Sequence, residues 1–247
     1  MFSNRLTLTF DEWNLLSIVL QAYDEQNLIV RTQNALQEQL SFPPKIRSKM
    51  SFAFDVISLF YTSIQPFLER LPYFHQLSNE TRRILLRNNL NGTGTFNSML
   101  AASEAKVFDY DYYIGTCEQI YGAECIRKVE RFLSRREFNL TLMKIMLVVL
   151  AFSSNCSIVL PDWNFDLNKS SIPYSIDLLR IQDVFIALLW KYLVYQYGFD
   201  QAVRRLDNLV KYHLDLLNRI NDITSQQHLD MIEDIIRKTT QSFHFDD

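Results

Sequence analysis

Trp13, Leu16, Leu20 and Tyr23 recur at intervals of three and four residues, the spacing that aligns apolar side chains on one face of a helix. Thr9 precedes them with Glu12 three residues on, a capping-box pair that predicts where this first helix begins. A second stripe, Phe52, Val56, Leu59, Phe60 and Ile64, lies within a helix predicted from Ser48 to Leu71, with a kink expected at Pro66. Between the two, Gln33 to Arg47 is polar and carries Pro43-Pro44, so it reads as a connecting loop. Pro72 stops the long helix. Ser78, whose hydroxyl can accept from first-turn backbone N–H groups, opens the next, where Ile84, Leu85 and Leu86 form an apolar wall.

Farther along, Asn88 to Phe96 contains Gly92 and Gly94, each costing about 1 kcal/mol in a helix, and a break is expected there. Lys106 to Gly115 alternates aromatic and polar residues as a short β-hairpin or turn would. Glu118 to Phe132 and Asn139 to Phe152 predict two more helices. The second, LTLMKIMLVVLAF with Lys144 inside it, is shorter than the about 20 residues a membrane span needs, and a buried core helix is expected. Pro161 and Pro173 bracket a polar loop. From Ser175 to Ile223 the helical period is strong, paused at Gly198 as a C-cap glycine would pause it. After a loop from Thr224 to His228, Leu229 to Ile236 reads as a short amphipathic helix. The pattern predicts a single all-α domain of about ten to twelve helices over residues 1–247, with at most one small β-hairpin.

Composition supports that picture. The chain has 247 residues, 48% apolar, with 18 Phe and 12 Tyr but 5 Gly and 6 Pro, the balance of long helices with short joints. A net charge of −3 and a pI near 5.8 give no electrostatic footprint for direct nucleic-acid binding. Cys117, Cys125 and Cys156 form an odd set without CxxC spacing, which reads as reduced thiols of an intracellular compartment. The histidines at 75, 213, 228 and 244 lack ligand spacing, so no metal site is expected. Asp109 and Asp111 have the look of a metal-binding carboxylate pair, but without a second acidic cluster they read as an exposed turn. Arg127, Lys128, Arg131, Arg135 and Arg136 alternate with Glu130 and Glu137 as a solvated helix face does. None of the nucleophile-elbow, HExxH, P-loop or GxGxxG patterns occurs, and neither catalysis nor a cofactor is expected.

The run Phe67 to Arg87, FLERLPYFHQLSNETRRILLR, resembles the signature of nuclear hormone receptor ligand-binding domains, roughly F-A-K-R-I-P-G-F continuing through L-S-x-x-D-Q-x-x-L-L-K, and aligns without a gap. The first helix is similar to the opening of receptors of the vitamin D and ecdysone branch. Ile181 to Leu193, Gly198 and Leu206 to Leu217 resemble the ninth and tenth helices, which carry the family's dimer surface. Met231 to Ile236 fits its C-terminal activation helix. The resemblance implies a three-layer antiparallel helical sandwich and a transcription-regulatory role in the nucleus, with the cytoplasm possible. It further implies an apolar small-molecule ligand, a mobile C-terminal helix, and homo- or heterodimerisation through helices within residues 175–223. The family's DNA-binding domain is not among these residues. The alternative is a ligand-independent helical dimerisation module with a filled pocket, and an all-helical enzyme is a third reading.

Carried over residue by residue, the resemblance implies a pocket lined by Val56, Ile57, Phe60 and Ser63 of the third helix. The family's ligand-anchoring arginine falls on Asn97, or on Ala101 if MLAAS is matched instead, so a ligand would be largely apolar, or Phe54, Phe60 and Phe96 would fill the space. The family clamps a coactivator LxxLL helix between a lysine and an acidic residue. Here Glu69 stands at the lysine position, Arg83 on the usually apolar floor beside Leu86, and Thr81 and Arg82 at the family's Asp and Gln. Arg87 keeps the second basic position and Asp234 the acid. The coregulator groove is therefore diverged. His228, just before the activation helix, is placed to hydrogen-bond a ligand or a neighbouring helix.

Overall fold

A computed structural model of the chain describes residues 7–47, 49–134, 139–153, 176–221 and 225–241. The described residues are helical and contain no strand. Helix α1 (Phe10–Asp24) starts at the expected capping box, with Thr9 Oγ1 accepting from Glu12 N and the Glu12 carboxylate accepting from Thr9 N at 2.8 Å. Its buried face is Leu16, Val19, Ala22 and Tyr23. The polar stretch read as a loop instead forms most of α2 (Leu28–Leu40), followed by the short α3 (Pro44–Arg47). Leu28, Thr32, Leu36 and Gln39 recur at helical spacing and are all buried, so a thin stripe suffices to dock a polar helix.

The long helix expected from Ser48 to Leu71 is two, α4 (Met50–Thr62) and α5 (Ile64–Leu68), and the break falls at Ser63 rather than Pro66. Pro66 sits in the first turn of α5, where its missing N–H costs nothing. At the break the Phe60 carbonyl accepts from Asn97 Nδ2 at 2.7 Å and from Ser63 Oγ at 3.1 Å. Asn97 Nδ2 also donates to Ser63 Oγ at 3.0 Å, while Asn97 Oδ1 accepts from the Tyr23 hydroxyl at 2.9 Å. Buried polar groups are costly unless paired, and this knot pairs them while pinning α1 to the bend.

After α6 (Pro72–His75), Ser78 caps α7 (Asn79–Glu104) as expected, accepting from Thr81 N at 3.2 Å. Helix α7 runs 26 residues straight through the predicted glycine break. Burial explains the difference: Leu90, Phe96 and Leu100 are fully buried, and each contributes about 1.5–3 kcal/mol, more than the two glycines forfeit. Gly94 is required for packing, because a Cβ there would lie 2.1 Å from Tyr61 Cδ1. Helix α7 is the central element, touching α2, α4 and α5 and the later helices α10, α12 and α13 described below.

The segment read as a hairpin is a 3-10 turn, Val107–Asp109, entered through Lys106 at φ 53, followed by α8 (Asp111–Tyr121). Asp109 and Asp111 are exposed at this junction, as expected. Gly122, at φ 83, divides the next predicted helix and starts α9 (Ala123–Ser134), whose Arg127, Lys128 and Arg131 are exposed. Helix α10 (Leu140–Ala151), capped by Asn139, is the expected core helix, buried from Leu142 to Ala151. Its Lys144 pairs with Asp24 and lies 4.9 Å from the Tyr23 ring centroid. The hairpin α11 (Ile176–Tyr197) and α12 (Phe199–Asn221) turns at Gly198, φ 76, as read from the sequence. The last helix, α13 (Gln226–Gln241), is longer than predicted and takes in His228. It packs on α4 and α7. The Pro161–Pro173 loop, Cys156, Arg135, Arg136, Glu137 and His244 lie outside the described residues. No helix among the described residues is long and apolar enough to cross a membrane.

Candidate functional site

A partly open cavity of about 110 Å³ lies where α4, α7, α8, α9 and α13 converge. Helix α4 contributes Ile57, Phe60 and Tyr61, and α7 contributes Thr95, Ser98, Met99 and Ala102. Val107 and Phe108 come from the 3-10 turn. Helix α8 lends Tyr113, Cys117 and Tyr121, which at four-residue intervals share one face, and the Gly122 turn folds α9 back so that Cys125, Ile126 and Val129 close the side. His228 of α13 completes the wall. Among the described residues, no Asp, Glu, Lys or Arg lines it.

The polar atoms of the wall are mostly engaged with each other. The Tyr61 and Thr95 hydroxyls are 2.8 Å apart, and Ser98 Oγ donates to the Thr95 carbonyl at 2.7 Å. Tyr113 and Cys117 hydrogen-bond one another, and Tyr121 Oη lies 2.7 Å from His228 Nδ1. The His228 ring also meets Tyr61 and Tyr121 edge-on, with centroids 6.1 and 5.5 Å away. Burial favours the neutral forms of Tyr61, Tyr113, Cys117, Tyr121 and His228. It pushes Tyr61 and the Cys117 thiol up to about 12, raises Tyr113 and Tyr121 well above the usual phenol range, and pushes His228 down to about 4. Cys117 is thus a protonated thiol and a poor nucleophile.

Of the residues carried over as ligand contacts, Ile57 and Phe60 line this cavity. Val56, Ser63 and Asn97 are buried away from it, the last two in the knot at the α4–α5 bend. Ala101 is fully buried, Phe54 is half-buried, and Phe96 packs edge-on against Tyr212 and His213 of α12. Sequence reasoning missed Tyr61, Tyr113, Cys117 and Tyr121 as wall residues. The four-residue spacing of the last three was the available signal, hidden by reading 106–115 as extended.

Of the residues carried over as a partner groove, Glu69, Arg83 and Asp234 are engaged close to home. Glu69 ends α5 and accepts from Gln65 Nε2 at 2.7 Å. Arg83 chelates Glu80, its Nε and Nη2 donating at 2.8 and 2.5 Å, and this pairing raises its pKa further. Leu86 is buried and Arg87 exposed. Asp234 pairs with Arg237 and with Lys238 at 2.6 Å on its own helix, which lowers its pKa. Arg82, at the family's Gln position, donates to the Phe74 and His75 carbonyls at 2.9 and 2.8 Å and so caps α6. No family model matches the chain, and no curated protein matches it at a significant level.

Proposed function

We propose that the chain is a ligand-responsive regulatory domain of the nuclear receptor ligand-binding type, built as a three-layer helical sandwich, whose C-terminal helix reports occupancy of the cavity. The observation that carries this reading is that α13 supplies His228 to the cavity wall while packing on α4 and α7. A molecule in the cavity touches α13 directly, so its affinity differs between docked and undocked states, the condition for shifting such an equilibrium. The docked helix places Met231 and Ile236 against the core and keeps Asp234 half-buried, as a helix that completes a partner surface would. The test joins native mass spectrometry of the purified chain with hydrogen exchange. The expected result is a retained apolar molecule, and α13 amides that open well below the free energy of global unfolding and slow on ligand addition. If α13 exchanges only with the α10 core and no molecule is carried, the regulatory reading fails.

A dimerisation module has its own support. Phe199, Val203, Val210 and Leu214 of α12 are 42–60% exposed and fall on one helix face. Phe199 meets Trp190 of α11 edge-on, which joins the two helices into one apolar surface. In an antiparallel self-pair centred between residues 206 and 207, Phe199 faces Leu214 and Val203 faces Val210. Sedimentation of the wild type against Val203→Glu/Val210→Glu distinguishes this reading, which requires a concentration-dependent dimer lost in the double variant.

A further inference from the structure

The cavity sets narrow limits on what it accepts. A cavity of about 150 Å³ lined by Leu, Ile and Phe holds benzene, whereas drug-sized ligands take several hundred Å³. At about 110 Å³ this one fits a single ring after slight expansion, not a sterol or a long-chain acid. Its wall has no charged residue among those described, so a carboxylate, phosphate or ammonium group would be buried without a counter-ion at prohibitive cost. A lone water is also poorly served, since buried waters take two to four hydrogen bonds and most wall hydroxyls are already paired.

The exception is the Tyr121–His228 pair. His228 Nδ1 is taken by the Tyr121 hydroxyl, and its Nε2 makes no hydrogen bond among the described residues. With Tyr121 donating to Nδ1, Nε2 carries the proton and donates. With Nδ1 donating to Tyr121, Nε2 accepts and the phenol proton is available. A ligand hydroxyl, both donor and acceptor, satisfies either arrangement, while a carbonyl or an ether satisfies one. Resting on the regulatory reading above, we propose that the cavity binds a neutral, single-ring aromatic molecule carrying one hydroxyl, recognised by the Tyr121–His228 pair and thereby joining α13 to α8.

Calorimetric titration of the full chain at pH 7 with phenol, toluene and benzoate, followed by hydrogen exchange of α13, tests the proposal. Phenol binds about three- to tenfold more tightly than toluene, the ratio one neutral hydrogen bond supports, benzoate does not bind, and phenol slows α13 exchange. Tyr121→Phe weakens phenol and leaves toluene unchanged, and Ala102→Leu, which fills the wall, abolishes both. Equal affinities for phenol and toluene in the wild type overturn the proposal. Binding of a sterol or fatty acid with none of the single-ring probes overturns the ligand class and leaves the regulatory reading standing. No binding by any probe, with α13 exchange unchanged, overturns both. Should Tyr121→Phe fail to fold, the wild-type phenol-to-toluene ratio and Ala102→Leu decide.

Discussion

Replacing Gly94 by alanine separates two opposed effects whose magnitudes the structure supplies. In an ordinary helix interior the change stabilises by about 1 kcal/mol, because alanine loses less conformational freedom on folding. At Gly94 the added Cβ would stand 2.1, 2.6 and 2.7 Å from Cδ1, Cε1 and Cγ of Tyr61, where relaxed carbon contacts are about 3.5–4.0 Å. The ring is 2% exposed, its hydroxyl is held by Thr95, and His228 stands against it, so it cannot yield alone. Overpacking of this kind costs about 1–3 kcal/mol, and a lost Tyr61–Thr95 bond adds about 1 kcal/mol. The net expectation is a destabilisation of about 1–3 kcal/mol, read by urea unfolding with linear extrapolation, each kcal/mol lowering Tm by about 2–4 °C. Gly115 is the internal control. It lies inside α8, and a methyl group added there would meet no atom within 4 Å, so Gly115→Ala stabilises by about 1 kcal/mol. In a Tyr61→Ala background the penalty at Gly94 disappears. If Gly94→Ala stabilises as much as Gly115→Ala does, the close approach of α4 and α7 is wrong.

Acid sensitivity follows from His213 and His228, both pushed by burial from 6.5 down to about 4. The unfolded chain binds these protons first, so stability is full above pH 6.5 and falls as pH drops toward 4, by about 3 kcal/mol per histidine. Flat urea midpoints across that window contradict it. Asn97→Ala leaves the Tyr23 and Ser63 hydroxyls and the Phe60 carbonyl without their shared partner and is expected to cost about 2–4 kcal/mol, a loss below 1 kcal/mol showing that water replaces the amide. Phe60→Ala enlarges the cavity and costs about 3–5 kcal/mol on denaturation, and a loss below about 1 kcal/mol places the ring in solvent. A labelled LxxLL peptide binds the wild type weakly and the Glu69→Lys/Arg83→Ile variant more tightly by fluorescence anisotropy; tight wild-type binding with no gain argues for an undiverged groove.

What could be read from the sequence was what local chemistry decides alone. The Thr9–Glu12 box, the Ser78 cap and the Gly198 turn each rest on a side chain or backbone meeting its own near neighbours, and each is in place. The core helix around Lys144 was legible because nearly every residue there is apolar. Helix α2 was not, since its burial rests on Leu28, Thr32, Leu36 and Gln39 against partners remote in sequence. Gly92 and Gly94 signalled a break by propensity, and the Tyr61 ring that makes Gly94 necessary is 33 residues upstream. The cavity was half legible: Ile57 and Phe60 came from the carried-over motif, whereas the α8 face required knowing that 111–121 is helical.

The uninterrupted course of α7 ties the cavity wall to a distant set of basic side chains. Its N-terminal turns carry Arg82, Arg83 and Arg87, and its far half carries Thr95, Ser98, Met99 and Ala102 into the cavity wall. Arg83 and Ser98 are about 22 Å apart along the axis at 1.5 Å per residue. No proline falls between them, so the cavity wall and the arginine-bearing turns belong to one continuous helix. Gly94 lies on that span, and the Tyr61 ring of α4 seated against it makes the same stretch of α7 part of the packing between the two helices.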